Sequence, residues 1–144
     1  MPEASNVWGD VPDWGGVGAR RIDRPDDCAL GASVWELHPG GINWYHLHHG
    51  SEELLVVLRG TPTLRTPAGE RVLAEGDVVT FPRGPTGAKE LRNESDTTAR
   101  VLIVSTNVDP DVSEYPDTGK IGMIVGGELR VHRVADQVEL AGPE

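Results

Sequence analysis

Residues 44–60 read WYHLHHGSEELLVVLRG, with three histidines inside four positions and two glutamates just behind them. Together with the residues before it, the segment INWYHLH (42–48) alternates as a β-strand does. Strand side chains point to opposite faces in turn, so Ile42, Trp44, His46 and His48 are expected on one face. The turn HGSE then returns the chain, and ELLVVL (53–58) is a nearly continuous apolar strand opened by Glu53. A carboxylate returning beside two imidazoles makes a compact N,N,O set for a divalent cation. Two histidines and one carboxylate with open positions is the arrangement of non-haem iron oxygenases, and the donors also suit Mn, Ni, Zn or Cu. A His-x-His pair on a strand edge can equally be plain polar surface. His49 and Glu52 have the other parity or sit in the turn, and read as solvent-facing or as supports for the ligands. His38 and His132 stand alone, with no partner in sequence.

Short strand-like segments continue outward from this stretch. ASVWELH (32–38) puts Ser33, Trp35 and Leu37 on one face. TLRT (63–66), RVLAE (71–75), DVVTF (77–81), KELRN (89–93) and ARVLIVS (99–105) follow. The breaks RGTP, TPAGE, PRGPTG and NESDTT are turn-forming compositions. Strands at roughly 8–12-residue spacing without a helical period predict an all-β sandwich or barrel. The first thirty residues show no sustained period, although Trp8 and Trp14 imply an arm that docks on the rest. In the last third, DPDVSEYPDTGK reads as a loop by composition. IGMIV and ELRVHRV read as two strands joined through Gly126-Gly127. The expected organisation is one domain: an arm over 1–30, a barrel over 31–106, and an extension over 107–144 that completes or covers it.

The 144 residues are enough for one core of useful size. A net charge of −10 repels phosphate backbones and no Lys/Arg cluster offsets it, which argues against a nucleic-acid partner. No apolar run has the roughly 18–20 residues of a membrane span. MPEASNVWGD lacks the basic start and apolar stretch of a signal peptide, so a cytoplasmic location and no membrane partner are expected. A single cysteine, Cys28, rules out an intramolecular disulfide and reads as a packing residue.

The spacing around the histidines resembles that of the cupin superfamily, whose members are double-stranded β-helix or jelly-roll barrels. Their first motif is matched at every step by Gly40, five residues, His46-Leu47-His48, four residues, Glu53, six residues, Gly60. The second is matched by Gly76, five residues, Pro82-Arg83-Gly84, a short gap, then Lys89, three residues, Asn93. The stretches SEELLVVLRGTPTLRTPAGE, GDVVTFPRGPTGA and VSEYPDTGK look like those of small single-domain bacterial cupins. The resemblance implies the jelly-roll fold, a metal site at His46, His48 and Glu53, and a homodimer. It leaves the substrate open.

One departure stands out. Cupins usually supply a fourth ligand, a histidine, where this chain has Lys89, and no histidine lies between 50 and 131 to replace it. In a first reading the three remaining ligands hold a metal, and the vacated position admits water, oxygen or substrate. The metal would then repel the proton of Lys89, and the neutral amine could act as catalytic base or hydrogen-bond donor. In a second, Lys89 replaces the metal and pairs with Glu53 inside the barrel. In a third, Lys89 turns outward and is inert. Trp44, Leu55 and Leu91 share faces with these residues and are expected to line an apolar small-molecule pocket with a polar floor. The expected function is therefore a divalent-metal-dependent small-molecule enzyme of oxygenase, isomerase or lyase type. The alternative is a metal-free ligand-binding or accessory protein.

Overall fold

Most of the strands expected from alternation form, and they pair across the chain into two antiparallel sheets that face one another. The computed structural model describes residues 3–141. Its strands in chain order are β1 (Val17–Arg21), β2 (Leu30–Leu37), β3 (Ile42–His48), β4 (Glu53–Arg59), β5 (Thr63–Thr66) and β6 (Gly69–Val72). These are followed by β7 (Val78–Phe81), β8 (Lys89–Arg92), β9 (Ala99–Thr106), β10 (Asp111–Tyr115), β11 (Lys120–Val125) and β12 (Glu128–Arg133). One sheet has the order β1-β2-β9-β4-β7, the other β12-β11-β10-β3-β8-β5-β6. This is the jelly roll that the motif spacing implied. Among the described residues no helix is long and apolar enough to cross a membrane.

The core lies between the sheets and is made by alternate residues. Leu55 and Val57 of β4, Leu64 of β5, Leu91 of β8 and Val101 of β9 are almost wholly buried and pack with Leu37 and Phe81. Each such aliphatic side chain stabilises the fold by roughly 1.5–3 kcal/mol relative to exposure. The register β5–β8 pairs Leu64 with Leu91 on this inner face. Glu90 and Arg92 of β8 have the opposite parity and join an ion-pair network with Glu70, Glu94 and Arg65.

Three parts of the sequence reading are corrected. The arm contains a strand: β1 pairs with β2 over five residues, Val17 opposite Leu37 through Arg21 opposite Ser33. The segment read as a loop contains β10, which pairs with both β3 and β11. Strand β6 starts and ends earlier than RVLAE implied; Leu73 lies beyond it, buried, its N–H donating to Pro62 O at 2.8 Å. The predicted Gly126-Gly127 turn does join β11 to β12, with φ of 61° and 76°, the left-handed region that glycine tolerates.

A short 3₁₀ turn, Pro85–Gly87, delivers the chain into β8. Gly84 before it has φ 84°, and at Gly87 a Cβ would lie 1.7 Å from Pro82 O. Both positions therefore demand glycine. At the far end of β8, Asn93 is 1% exposed and fully hydrogen-bonded. Its Nδ2 donates to Leu37 O and Thr97 O, and its Oδ1 accepts from Ser95 N and Oγ. The two motif ends of this stretch are thus structural anchors that hold Lys89 between them.

The arm is held by polar contacts more than by its tryptophans. Arg20 donates to Asp10 O and Asn6 O, and buried Arg100 reaches Gly9 O and Glu36. Trp8 is half exposed, with the Arg59 and Arg100 guanidinium groups 5.0 and 5.9 Å from its ring centre. Trp14 meets the edge of Trp35 at 6.4 Å.

Candidate metal centre

The site sits where the two sheets meet. β3 of one sheet supplies His46 and His48, and β4 of the other supplies Glu53, brought across by the turn between them. Donor atoms of these three side chains all lie within 4.8 Å of one another. They open onto a cavity of about 260 Å³. Leu55, Leu64, Phe81, Leu91 and Ile103 supply much of its apolar wall, and Ser33, Asn43 and Tyr115 contribute polar groups.

Trp44 does not belong to this cavity: it is 60% exposed. The reason is a register shift. Asn43 pairs with Leu91 and His46 with Lys89, so three steps along β3 oppose two along β8. The extra residue is a β-bulge, which flips the parity of the strand. Asn43 and His46 both reach the cavity in consequence, while Trp44 turns out and Tyr45 lies under the Arg65 guanidinium, 4.1 Å away. Leu55 and Leu91 line the cavity as expected from alternation, and Lys89 faces inward with them. The outward, inert reading of Lys89 is thereby excluded.

Each imidazole is oriented by a contact on its far nitrogen. His46 Nδ1 lies 2.6 Å from Trp44 O, which can only accept, so this nitrogen carries the proton. Burial, with the charge of Lys89 adding to it, pushes the His46 pKa down to about 4. His46 is therefore neutral near pH 7, with an Nε2 lone pair free for a ligand role. Its ring stacks on Tyr115 at 5.5 Å and meets the His48 ring edge-on at 5.1 Å.

His48 lies between two carboxylates, with Nδ1 3.0 Å from Asp111 Oδ2 and Nε2 3.2 Å from Glu53 Oε1. A neutral imidazole has one N–H, so one of these contacts would oppose a lone pair to a carboxylate oxygen. A cation held between His48 and Glu53 would satisfy both the lone pair and the carboxylate. Burial alone would raise the Glu53 carboxyl, but the hydrogen bond from His48 and the charge of Lys89 outweigh it and hold the group at about 2. The Lys89 ammonium contacts the same oxygen, Oε1, that faces His48.

Asp111 was not foreseen. It opens β10 inside a segment whose Asp, Pro and Ser content suggested a loop. Only 5% exposed, it accepts from Gly50 N at 2.8 Å and Ser51 Oγ at 3.1 Å as well as meeting His48. One carboxylate thus holds both the ligand and the turn that returns Glu53. Tyr115 was missed for the same reason. The available signal was the alternation in DVSEY, where Asp111 and Ser113 are buried and Tyr115 lines the cavity. The carboxylate–histidine arrangement is typical of metal centres, where loss of such a support costs ~10–100-fold in metal affinity. Asp111→Asn is expected to weaken divalent-metal binding by that factor in calorimetric titration. An unchanged Kd would show that Asp111 serves the turn alone.

The remaining candidates stay outside. His49 is half exposed, 3.6 Å from Glu114, and Glu52 is half exposed near Arg83. His38 meets Thr98 Oγ1 at 3.0 Å, and His132 lies exposed on β12.

Residues 33–105 match the cupin domain, and the chain belongs to that family. Among solved structures it is similar to a protein of Acidithiobacillus ferrooxidans provisionally assigned as a sugar phosphate isomerase. Identity is 29% over 85% of this chain and 81% of that one, with a TM-score of 0.71. A cupin-superfamily sugar phosphate isomerase of Silicibacter pomeroyi aligns over 88% of this chain and 82% of its own, at 23% identity and TM-score 0.76. The polyketide cyclase RemF of Streptomyces resistomycificus aligns over 62% and 64%, at 24% identity and TM-score 0.55. The latter two likenesses are of fold. No curated protein sequence matches the chain.

Proposed function

We propose that this chain is a divalent-metal-dependent enzyme of the isomerase type, acting on a small unphosphorylated hydroxy-carbonyl compound. The observation that carries the proposal is the orientation of the donors. His46 Nδ1 is committed to Trp44 O and His48 Nδ1 to Asp111, so both Nε2 atoms are left for the space shared with Glu53. Neutral imidazoles and an ionised carboxylate are the protonation states a metal requires, and the residues fit such an ion. A bound divalent ion supplies Lewis-acid polarisation of a carbonyl oxygen.

The chain's own residues provide the rest. A cavity of about 260 Å³ is smaller than sites for drug-sized ligands, which suits a compound of a few carbons. Among the described residues the Asn43 amide and the Tyr115 hydroxyl make no hydrogen bond within the protein, leaving both for substrate oxygens. Lys89 is placed to donate a proton to, or accept one from, a substrate oxygen beside the metal ligands. The 29% identical neighbour supports isomerase chemistry. A phosphorylated substrate does not carry over: among the described residues Lys89 is the only lysine or arginine lining the cavity, and Glu53 holds it.

The test is elemental analysis of untagged protein, followed by incubation of the metal-loaded protein with paired aldoses and aldose phosphates. Bound metal that disappears in His46→Ala, with turnover or thermal stabilisation by the free sugars only, is expected. A preference for the phosphate esters would overturn the substrate class. The second reading is a metal-free binding protein, favoured by the Lys89–Glu53 contact. It predicts no metal after exposure to each ion, together with a ligand-dependent rise in Tm.

A further inference from the structure

We propose that Lys89 is a built-in competitor of the metal: Glu53 has two mutually exclusive partners, and the lysine must leave before the ion can bind. This rests on the metal-dependent reading above. Glu53 Oε1 is the oxygen turned toward His48, and it is also the oxygen that the Lys89 ammonium contacts. That oxygen, 3.2 Å from His48 Nε2, is the one placed for a metal shared by His48 and Glu53. The side chains of Lys89 and Glu53 are only 9% and 12% exposed, so water cannot readily replace either partner while both stay in place.

Charge points the same way. With Lys89, Glu53 and Asp111 charged, one cation faces two carboxylates around His48. A divalent ion entering beside the ammonium places three positive charges against two negative ones. The ammonium is then driven off the carboxylate by Coulomb repulsion. The ammonium already lies 5.2 Å from the Phe81 ring centre, and that aromatic face can keep holding the cation once it leaves the carboxylate. The cavity borders both residues, so the freed amine is left facing the ligand space. The site thus has a closed, internally paired state without metal and an open state with it.

The test compares wild type with Lys89→Met, similar in length and without charge, by calorimetric titration of the metal-free proteins with Ni²⁺ and Mn²⁺. Lys89→Met is expected to bind at least tenfold tighter. It is also expected to melt below wild type without metal and no lower than wild type at saturating Ni²⁺. Lys89→Gln, which keeps a donor but no charge, is expected to shift affinity in the same direction and serves if the methionine variant does not fold. Equal or weaker binding by the folded variants overturns the competition while leaving the metal site intact. Failure of wild type and both variants to bind any ion overturns the metal-dependent reading itself, and the competition with it.

Discussion

Glu53→Ala is expected to abolish divalent-metal binding and to destabilise the metal-free protein by about 3–5 kcal/mol. The first effect follows because Glu53 is the single anionic member of the donor set. The second follows from what the substitution leaves behind. The Lys89 side chain is 9% exposed, and its carboxylate partner would be replaced by a methyl group. Removing one member of a buried ion pair strands the other charge in a medium that solvates it poorly. Adding Lys89→Met should restore most of the loss, because an apolar pair has no charge to strand. The experiment is urea unfolding of the two single variants and the double variant in chelator, plus calorimetric titration with Ni²⁺. A loss under about 1 kcal/mol for Glu53→Ala, or a double variant no better than that single one, would mean that the pair contributes little to stability.

The second large effect is acid sensitivity of the metal-free protein. The His46 pKa lies at about 4 in the fold against 6.5 for a free imidazole. Between these values the unfolded chain takes up a proton that the folded chain refuses, so stability falls as pH drops from 6.5 toward 4. The Glu53 pKa lies at about 2 against 4.5. Its contribution is complete above 4.5 and is lost as pH falls toward 2. Each group accounts for at most roughly 3 kcal/mol, and the two windows adjoin. Unfolding free energies measured from pH 7 to 3 in chelator should therefore decline continuously, through His46 in the upper part of the range and Glu53 in the lower. His46→Gln should flatten the profile above about pH 4.5 and leave the decline below it. A flat profile between pH 6.5 and 4.5 in wild type would contradict the buried, neutral imidazole.

The strands and the His46–His48–Glu53 grouping were legible because both are written in local patterns. Alternation marked β2 to β5 and β7 to β9 with boundaries close to those observed, and the strand–turn–strand spacing from His46 to Glu53 put the donors together. What was not legible depends on partners far away in sequence. The bulge in β3 exists only against β8, and no residue in INWYHLH announces that Trp44 will be turned out while Asn43 turns in. β10 reads as a loop because its acidic and hydroxyl residues are poor strand formers alone. They become a strand through pairing with β3 and β11, and Asp111 is buried because it has three donors to meet. The inward direction of Lys89 stood among the three readings, and its contact with Glu53 selects between them only in three dimensions.

The separation of Asp111 from His48 by 63 positions has a consequence for biosynthesis. A nascent chain clear of the ribosome as far as residue 105 already presents His46, His48, Glu53 and Lys89. It still lacks the carboxylate that orients His48 and pins the turn at Gly50 and Ser51. Until β10 emerges and pairs with β3, that imidazole is unguided, whereas Lys89 and Glu53 can already meet. The contact of His48 with Asp111 can therefore form only after that of Lys89 with Glu53 has become possible.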